Sequence, residues 1–211
     1  MARPHVAAAL VVLLFTATAA ADEHRFEVGG YGGYLFGGTA EGTSTLLTAH
    51  ASIQSAPSYG AFVDVAVRPN AFVELSYTRQ PTELSLNLSD GSHYRYNLLA
   101  QYLQVGGLLE YRLPSADRVR PVFGGTLGAT VFSADDAAHS YDEWRFSLIL
   151  EGGVKFQVTD VLGLRLRARL LATFLPGESA LFCVGAAGCA LAYSGTAVLQ
   201  GEVGAGAYLA F

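Results

Sequence analysis

The chain is poor in charge. Only 15% of its 211 residues are Asp, Glu, Lys or Arg, whereas the surface of a soluble domain carries about 25–35%. A single lysine, Lys155, occurs in the whole sequence, and the formal net charge is −5. The chain is mildly acidic, so no nucleic-acid partner is expected. After the first residues there is no run of about 18 apolar residues, so no spanning helix is expected. Cysteine is limited to Cys183 and Cys189, too few for a disulfide-dense scaffold. Beyond residue 22, histidine occurs at His24, His50, His93 and His139, near the start of the chain or in segments that read as loops.

What is present begins with a leader pattern. Arg3 precedes an apolar run from Val6 to Phe15, small residues fill Thr16 to Ala21, and Asp22 opens a polar stretch. This order predicts a signal peptide over 1–21 and a mature domain over 22–211. The apolar run is about half the roughly 20 residues that a spanning helix needs. Cleavage would remove one cation, Arg3, and no acid, leaving the exported chain still more acidic.

Beyond the leader the sequence alternates apolar with polar or small residues, the period of a strand with two different faces. Eight runs are predicted: 26–36, 59–68, 71–80 with a possible extension to Asn87, 96–113, 120–131, 144–158, 164–175, and a last one ending at Phe211. The connections alternate between long polar stretches, such as Gly37 to Ser58, Ser133 to Glu143 and Pro176 to Tyr193, and short turns such as Pro69-Asn70. A low-charge chain without a spanning helix can enter lipid only by pairing every backbone group internally, which a closed sheet achieves. The expected fold is all-β, an eight-stranded antiparallel up-and-down transmembrane β-barrel. Membrane strands need about 9–11 residues, and the predicted runs are long enough.

One parity of these runs gathers Glu74, Glu110, Arg112, Arg145, Glu151, Lys155, Arg165, Arg167, Arg169 and Glu202. The other parity is apolar and rich in Gly and Ala, which need no core partner in lipid. The charged parity is therefore assigned to the lumen, since Arg or Lys facing lipid at the midplane costs about 2–4 kcal/mol. An eight-stranded interior is just wide enough for side chains to fill, and buried charges persist when paired. A lumen network of Glu74, Glu110, Arg112, Glu151, Lys155, Arg165, Arg167, Arg169 and Glu202 is expected. With a turn over Thr159 to Gly163, Gln157 is placed opposite Arg165, Lys155 opposite Arg167 and Gly153 opposite Arg169.

The segment Arg120-Pro121-Val122-Phe123-Gly124-Gly125-Thr126-Leu127-Gly128 carries a family likeness. So do Gly152-Gly153-Val154-Lys155-Phe156, the stretch through Thr159-Asp160 to Leu162-Gly163-Leu164-Arg165-Leu166-Arg167, and the terminal strand. In their order and spacing these resemble the small eight-stranded outer-membrane proteins of the OmpA transmembrane-domain and OmpX type, across the whole mature length. The resemblance implies a porin-like barrel in the bacterial outer membrane of a Gram-negative cell, monomeric, in contact with outer-membrane lipids and lipopolysaccharide. The long loops are then outside and both termini in the periplasm. It also implies a terminal signal read by the barrel-assembly machinery, which Val203, Ala205, Ala207, Leu209 and Phe211 fit.

In an exported chain Cys183 and Cys189 read as a disulfide. A metal site would need further ligands that the neighbouring sequence lacks. Asp135, Asp136, Asp142 and Glu143 read as a solvated acidic loop, with divalent-cation binding as the alternative. Tyr59, Tyr94, Tyr96, Tyr111, Trp144 and Tyr193 fall near predicted strand ends, where interfacial aromatic girdles sit. Three functions are weighed. The first is a structural or surface-interaction protein acting through its outer loops on an unknown extracellular ligand, with the lumen closed by paired charges. The second is a narrow channel for ions or very small solutes. The third is a lipid A-modifying barrel enzyme, which needs a positioned Ser, His and acid. His139-Ser140 beside Asp142 and Glu143 does not by itself supply that arrangement, so neither catalytic residues nor a cofactor is expected.

Overall fold

A computed structural model of the chain describes residues 26–43, 48–88, 93–116, 118–136, 139–174, 179–180, 192–193 and 197–211. The expected signal peptide and the Cys183–Cys189 pair lie outside these residues. The described segments form strands β1 (Phe26–Phe36), β2 (Thr39–Thr43), β3 (Thr48–Ile53), β4 (Ala56–Arg68), β5 (Ala71–Leu88) and β6 (His93–Glu110). They continue with β7 (Val119–Asp136), β8 (His139–Gln157), β9 (Leu162–Phe174), β10 (Ser179–Ala180), β11 (Ala192–Tyr193) and β12 (Ala197–Ala210).

Eight of these strands close a ring. The neighbours run β5, β4, β1, β12, β9, β8, β7, β6 and back to β5, all antiparallel. Closure gives every strand of the ring a hydrogen-bonded neighbour on each side, so the ring has no edge strand. At the seam between the first and last strands the ladder runs from Glu27↔Ala210 to Phe36↔Gly201, and Phe211 N–H donates to Phe26 O at 2.8 Å. The fold is the expected all-β barrel.

Alternation sorts the two faces along each strand. On β9 the even-numbered residues Leu164, Leu166 and Leu170 are exposed, while Arg165, Arg167, Arg169 and Leu171 are buried. Outward-facing rings mark both ends of the apolar belt. Tyr34, Phe36, Tyr59, Tyr77, Trp144, Phe146 and Phe174 lie toward the long-loop end, with Phe26, Tyr111, Phe123 and Phe211 toward the short-turn end. Tyr59, Tyr111 and Trp144 therefore stand where a girdle was expected. Tyr96 does not: it packs against the inner apolar cluster. The side chains of Tyr94 and Tyr193 lie outside the described residues.

Three long connections depart from expectation. Gly37 to Ser58 was read as loop, yet β2 and β3 pair within it, from Thr39↔Ser52 to Thr43↔Thr48. β3 also pairs β5 from Ile53↔Leu84 to Ala49↔Leu88. Ser133 to Glu143 contains the end of β7 and the start of β8, paired as far as Asp136↔His139. Ser179–Ala180 and Ala192–Tyr193, from the last connection, pair with each other and reach β2 through Tyr193↔Gly42. Thr and Ser in these segments are compatible with pleated structure, so hairpins continue past the apolar belt. β5, β6 and β7 are each 18 residues and β8 is 19, well beyond the roughly 9–11 that cross a bilayer.

Candidate functional site

Among the described residues the four buried cations of the lumen come from two adjacent strands. Lys155 on β8 and Arg165, Arg167 and Arg169 on β9 all point inward because they share one parity. The turn between these strands is tight. Val158 N–H and Thr159 N–H both donate to Leu162 O at 2.9 Å, and Thr159 Oγ1 accepts from Leu162 N–H at 2.9 Å. β9 therefore starts at Leu162, and the register differs by two residues from the sequence expectation. Lys155 lies opposite Arg165, Gly153 opposite Arg167, and Glu151 opposite Arg169. A two-residue shift preserves the inward face and changes every partner.

At the short-turn end Lys155 Nζ is 2.6 Å from Glu27 Oε2, 3.4 Å from Asp64 Oδ2 and 3.6 Å from Glu110 Oε2. Its ammonium lies 4.4 Å from the centroid of the Phe72 ring and 5.5 Å from that of Tyr208. Arg120 Nη1 holds the other oxygen of Glu110 at 3.0 Å. One turn of the wall further in, Arg165 bridges Asp64 at 3.2 Å, Glu74 at 2.8 Å and Glu151. Arg167 joins Glu151 and, at 3.4 Å, Glu74. Next along the axis Arg169 pairs with its cross-strand neighbour Glu202, and its Nη2 donates to Tyr31 Oη and Thr78 Oγ1, both at 3.0 Å. Ser58 Oγ donates to Glu202 as well.

Eight of the nine predicted lumen charges are therefore brought together. Arg112 is the exception. β6 ends at Glu110, so Arg112 stands exposed in the connection that leads to β7, outside the lumen. The sequence reading omitted Glu27, Asp64 and Arg120. Glu27 and Asp64 stand opposite Phe26 and Val63 in parity, the same signal that marks Glu110 and Glu202. Arg145 does face inward, at the long-loop end, where it pairs with Glu143 rather than with the network.

Carboxylates from five strands outside the β8–β9 pair surround cations from that pair. Glu27, Asp64, Glu74, Glu110 and Glu202 sit on β1, β4, β5, β6 and β12, and Glu151 lies on β8 itself. Burying these charges costs several kcal/mol per ion, offset when each meets its counter-charges at contact distance. Aromatic faces add to this: the Arg165 guanidinium carbon is 4.7 Å from the Phe62 ring centroid and that of Arg167 is 4.3 Å from Tyr31.

Above the network comes an uncharged polar layer. Gln104 Nε2 donates to Ser147 Oγ at 2.7 Å, Thr130 and Thr173 share a 3.1 Å bond, and Tyr102 Oη donates to Gln200 Oε1 at 2.6 Å. Beyond it Leu35, Ile53, Leu84, Leu98, Phe132, Ile149, Leu171 and Val198 pack as an apolar plug toward the long loops. At the opposite end Phe72, Leu108, Val122, Tyr208 and Ala210 are buried beneath Lys155. Among the described residues, side chains thus pack the interior from Ala210 at the short-turn end to the apolar plug, as the width of an eight-stranded barrel allows.

Among the described residues no group of three His, Cys, Asp or Glu is arranged to hold a metal ion. Ser133 Oγ donates to Asp142 Oδ1 at 2.6 Å, and Glu143 is taken up by Arg145. The supposed acidic loop is in this part a paired hairpin. His50, His93 and His139 lie on β3, β6 and β8.

A family model described as "Outer membrane protein beta-barrel domain" matches residues 7–193. The chain belongs to this outer-membrane β-barrel family. Solved members of the same architecture include Neisserial surface protein A, with a TM-score of 0.59 at 15% identity over 88% of this chain and 97% of that one. OprG from Pseudomonas aeruginosa follows at 0.54, with 11% identity over 89% and 97%. The outer membrane protein AlkL, determined in lipid bilayers, aligns at 0.53, with 16% identity over 93% and 95%. At these identities the likeness concerns the fold. No curated protein matches the sequence. Membership of an outer-membrane β-barrel family places the chain in the bacterial outer membrane.

Proposed function

We propose that this outer-membrane barrel is a closed, non-enzymatic scaffold that presents its long hairpins at the cell surface, with both termini in the periplasm. The observation that carries the reading is the filled lumen. Six buried or nearly buried carboxylates interlock with Lys155, Arg165, Arg167 and Arg169, and apolar layers lie at both ends. A conducting path would have to separate those ion pairs and part the Leu35–Phe132 plug. The parts that project furthest, the paired hairpin of β2 and β3 and the extensions of β5 to β8, offer the surface on which an extracellular ligand would act.

Planar-bilayer recording on the refolded protein tests this. Closed membranes at 0.1 M and 1 M KCl are the expected result. Reproducible unitary steps at both salts would instead establish the narrow-channel reading.

A further inference from the structure

Acids outnumber cations in the lumen network. Among the described residues six carboxylates are buried there, and five cations reach them, four buried and one, Arg120, partly exposed. Five of the acids can each be given a counter-charge. Glu27 takes Lys155 at 2.6 Å, Glu110 takes Arg120 at 3.0 Å, Glu74 takes Arg165 at 2.8 Å, Glu151 takes Arg167, and Glu202 takes Arg169. Asp64 is the sixth. It touches Arg165 at 3.2 Å and Lys155 at 3.4 Å, and each of these cations lies closer to another carboxylate.

Register explains why this acid is the one left over. Asp64 on β4 stands directly opposite Glu27 on β1 and, on its other side, directly opposite Glu74 on β5. Three carboxyl groups therefore form one row across three adjacent strands, with opposed Cα atoms about 4.5–5.5 Å apart. Like charges in directly opposed positions destabilise a sheet. Asp64, in the middle of the row, has no exposed surface, and its Oδ1 takes part in no hydrogen bond among the described residues. The other charged or titratable groups around the row belong to the network already described: Lys155 and Glu151 from β8, Arg165 and Arg167 from β9, Glu110 from β6, Arg120 from β7 and Tyr208 from β12. Apolar layers lie at both ends of the network. A buried carboxyl without a cation of its own neutralises by taking up a proton.

We propose that the lumen binds one proton at neutral pH and holds it on Asp64. The neutral carboxyl accepts from Lys155 and Arg165 through Oδ2 while Oδ1 carries the hydrogen. The row of three acids then bears two charges, and the five remaining carboxylates balance the five cations. The proton comes from solvent as the barrel closes, because an aspartate in the unfolded chain is ionised at neutral pH. Asn matches this state in shape and charge, so Asp64→Asn replaces the bound proton by an amide without adding a charge.

The test is infrared spectroscopy of the full-length protein in phosphatidylcholine vesicles at pH 7, with the aspartate side-chain carboxyls isotopically labelled. The carbonyl stretch of a protonated carboxyl, well separated from the carboxylate bands, is expected at the intensity of one group per barrel, shifted by the aspartate label and lost in Asp64→Asn. Refolding of the wild type from urea into vesicles should take up one more proton per barrel than refolding of Asp64→Asn, read with a pH indicator in weak buffer. Heat-modifiable gel mobility confirms that the variant is folded, and the labelled wild type decides the matter should the variant fail to fold. Absence of the band overturns the inference, as does a band that shifts with labelled glutamate instead of aspartate, or equal proton uptake by the two proteins. The inference rests on the closed lumen proposed above: unitary conductance steps refute closure, whereas a silent barrel that lacks the band refutes the proton alone.

Discussion

Replacing Arg165 with Met removes a guanidinium that bridges three carboxylates while keeping most of its apolar volume. The wild-type guanidinium reaches Asp64 at 3.2 Å, Glu74 at 2.8 Å and Glu151, and its side chain is fully buried. In the variant Asp64 keeps Lys155, whereas Glu74 and Glu151 must share Arg167. Removing one partner from a buried ion cluster costs about 3–5 kcal/mol, because the remaining charges stay buried with incomplete compensation. With a urea slope of about 2 kcal/mol/M, the unfolding midpoint should fall by roughly 2 M. Trp144 provides the signal: it is the sole tryptophan, faces outward and is 64% exposed. Equilibrium urea titration in vesicles followed by its emission gives the number. Arg112→Ala, in the exposed connection after β6, is the control and should stay within about 0.5 kcal/mol of wild type. A shift below 1 kcal/mol for Arg165→Met, or equal shifts for the two variants, would refute the reasoning that the network stabilises the barrel.

Three further outcomes follow from the same geometry. Leu127 is exposed on the lipid face of β7, so Leu127→Arg should cost about 2–4 kcal/mol in vesicle titrations; no loss would mean that this face is not in hydrocarbon. A Cβ at Gly128 would stand 1.9 Å from Leu103 O and 2.9 Å from Gln104 Cα. Because backbone must move, Gly128→Ala should lower stability by about 1–3 kcal/mol, read from the temperature at which heat-modifiable mobility is lost. Phe211→Ala should slow barrel assembly in cells more than spontaneous insertion into vesicles, measured by pulse-chase and by gel shift; equal slowing would dissociate Phe211 from the assembly signal.

Much of the lumen was legible because the side-chain period of a strand is two. Arg165, Arg167 and Arg169 share one parity with Leu164, Leu166 and Leu170 on the other, so the inward set followed without knowledge of any pairing. The partners were another matter. They depend on register, which a turn of one length or another moves in steps that leave parity unchanged. The tight turn at Thr159 puts Glu151, not Gly153, opposite Arg169. Arg112 shows the same limit at a strand end: alternation continues past Glu110, but the backbone leaves the wall there. Asp64 and Glu27 share the inward parity that marked Glu202, but only closure of the ring brings them to Lys155. The hairpins over β2, β3 and the tips of β7 and β8 were read as loops for a different reason. Outside lipid both faces are polar, so the amphipathic signal fades while the ladder persists.

The central claim, that paired charges close the lumen, has an internal probe in the only lysine of the chain. Lys155 is 1% exposed and lies between Glu27, Asp64 and Glu110. The measurement is reaction of the folded, bilayer-inserted protein with a small water-soluble amine reagent, mapped by peptide mass spectrometry. The closed lumen predicts that Lys155 stays unmodified in the folded barrel and reacts once the protein is unfolded in urea. Modification of Lys155 in the folded state at the rate of an exposed lysine would show that water and solutes pass the network, and would contradict the account.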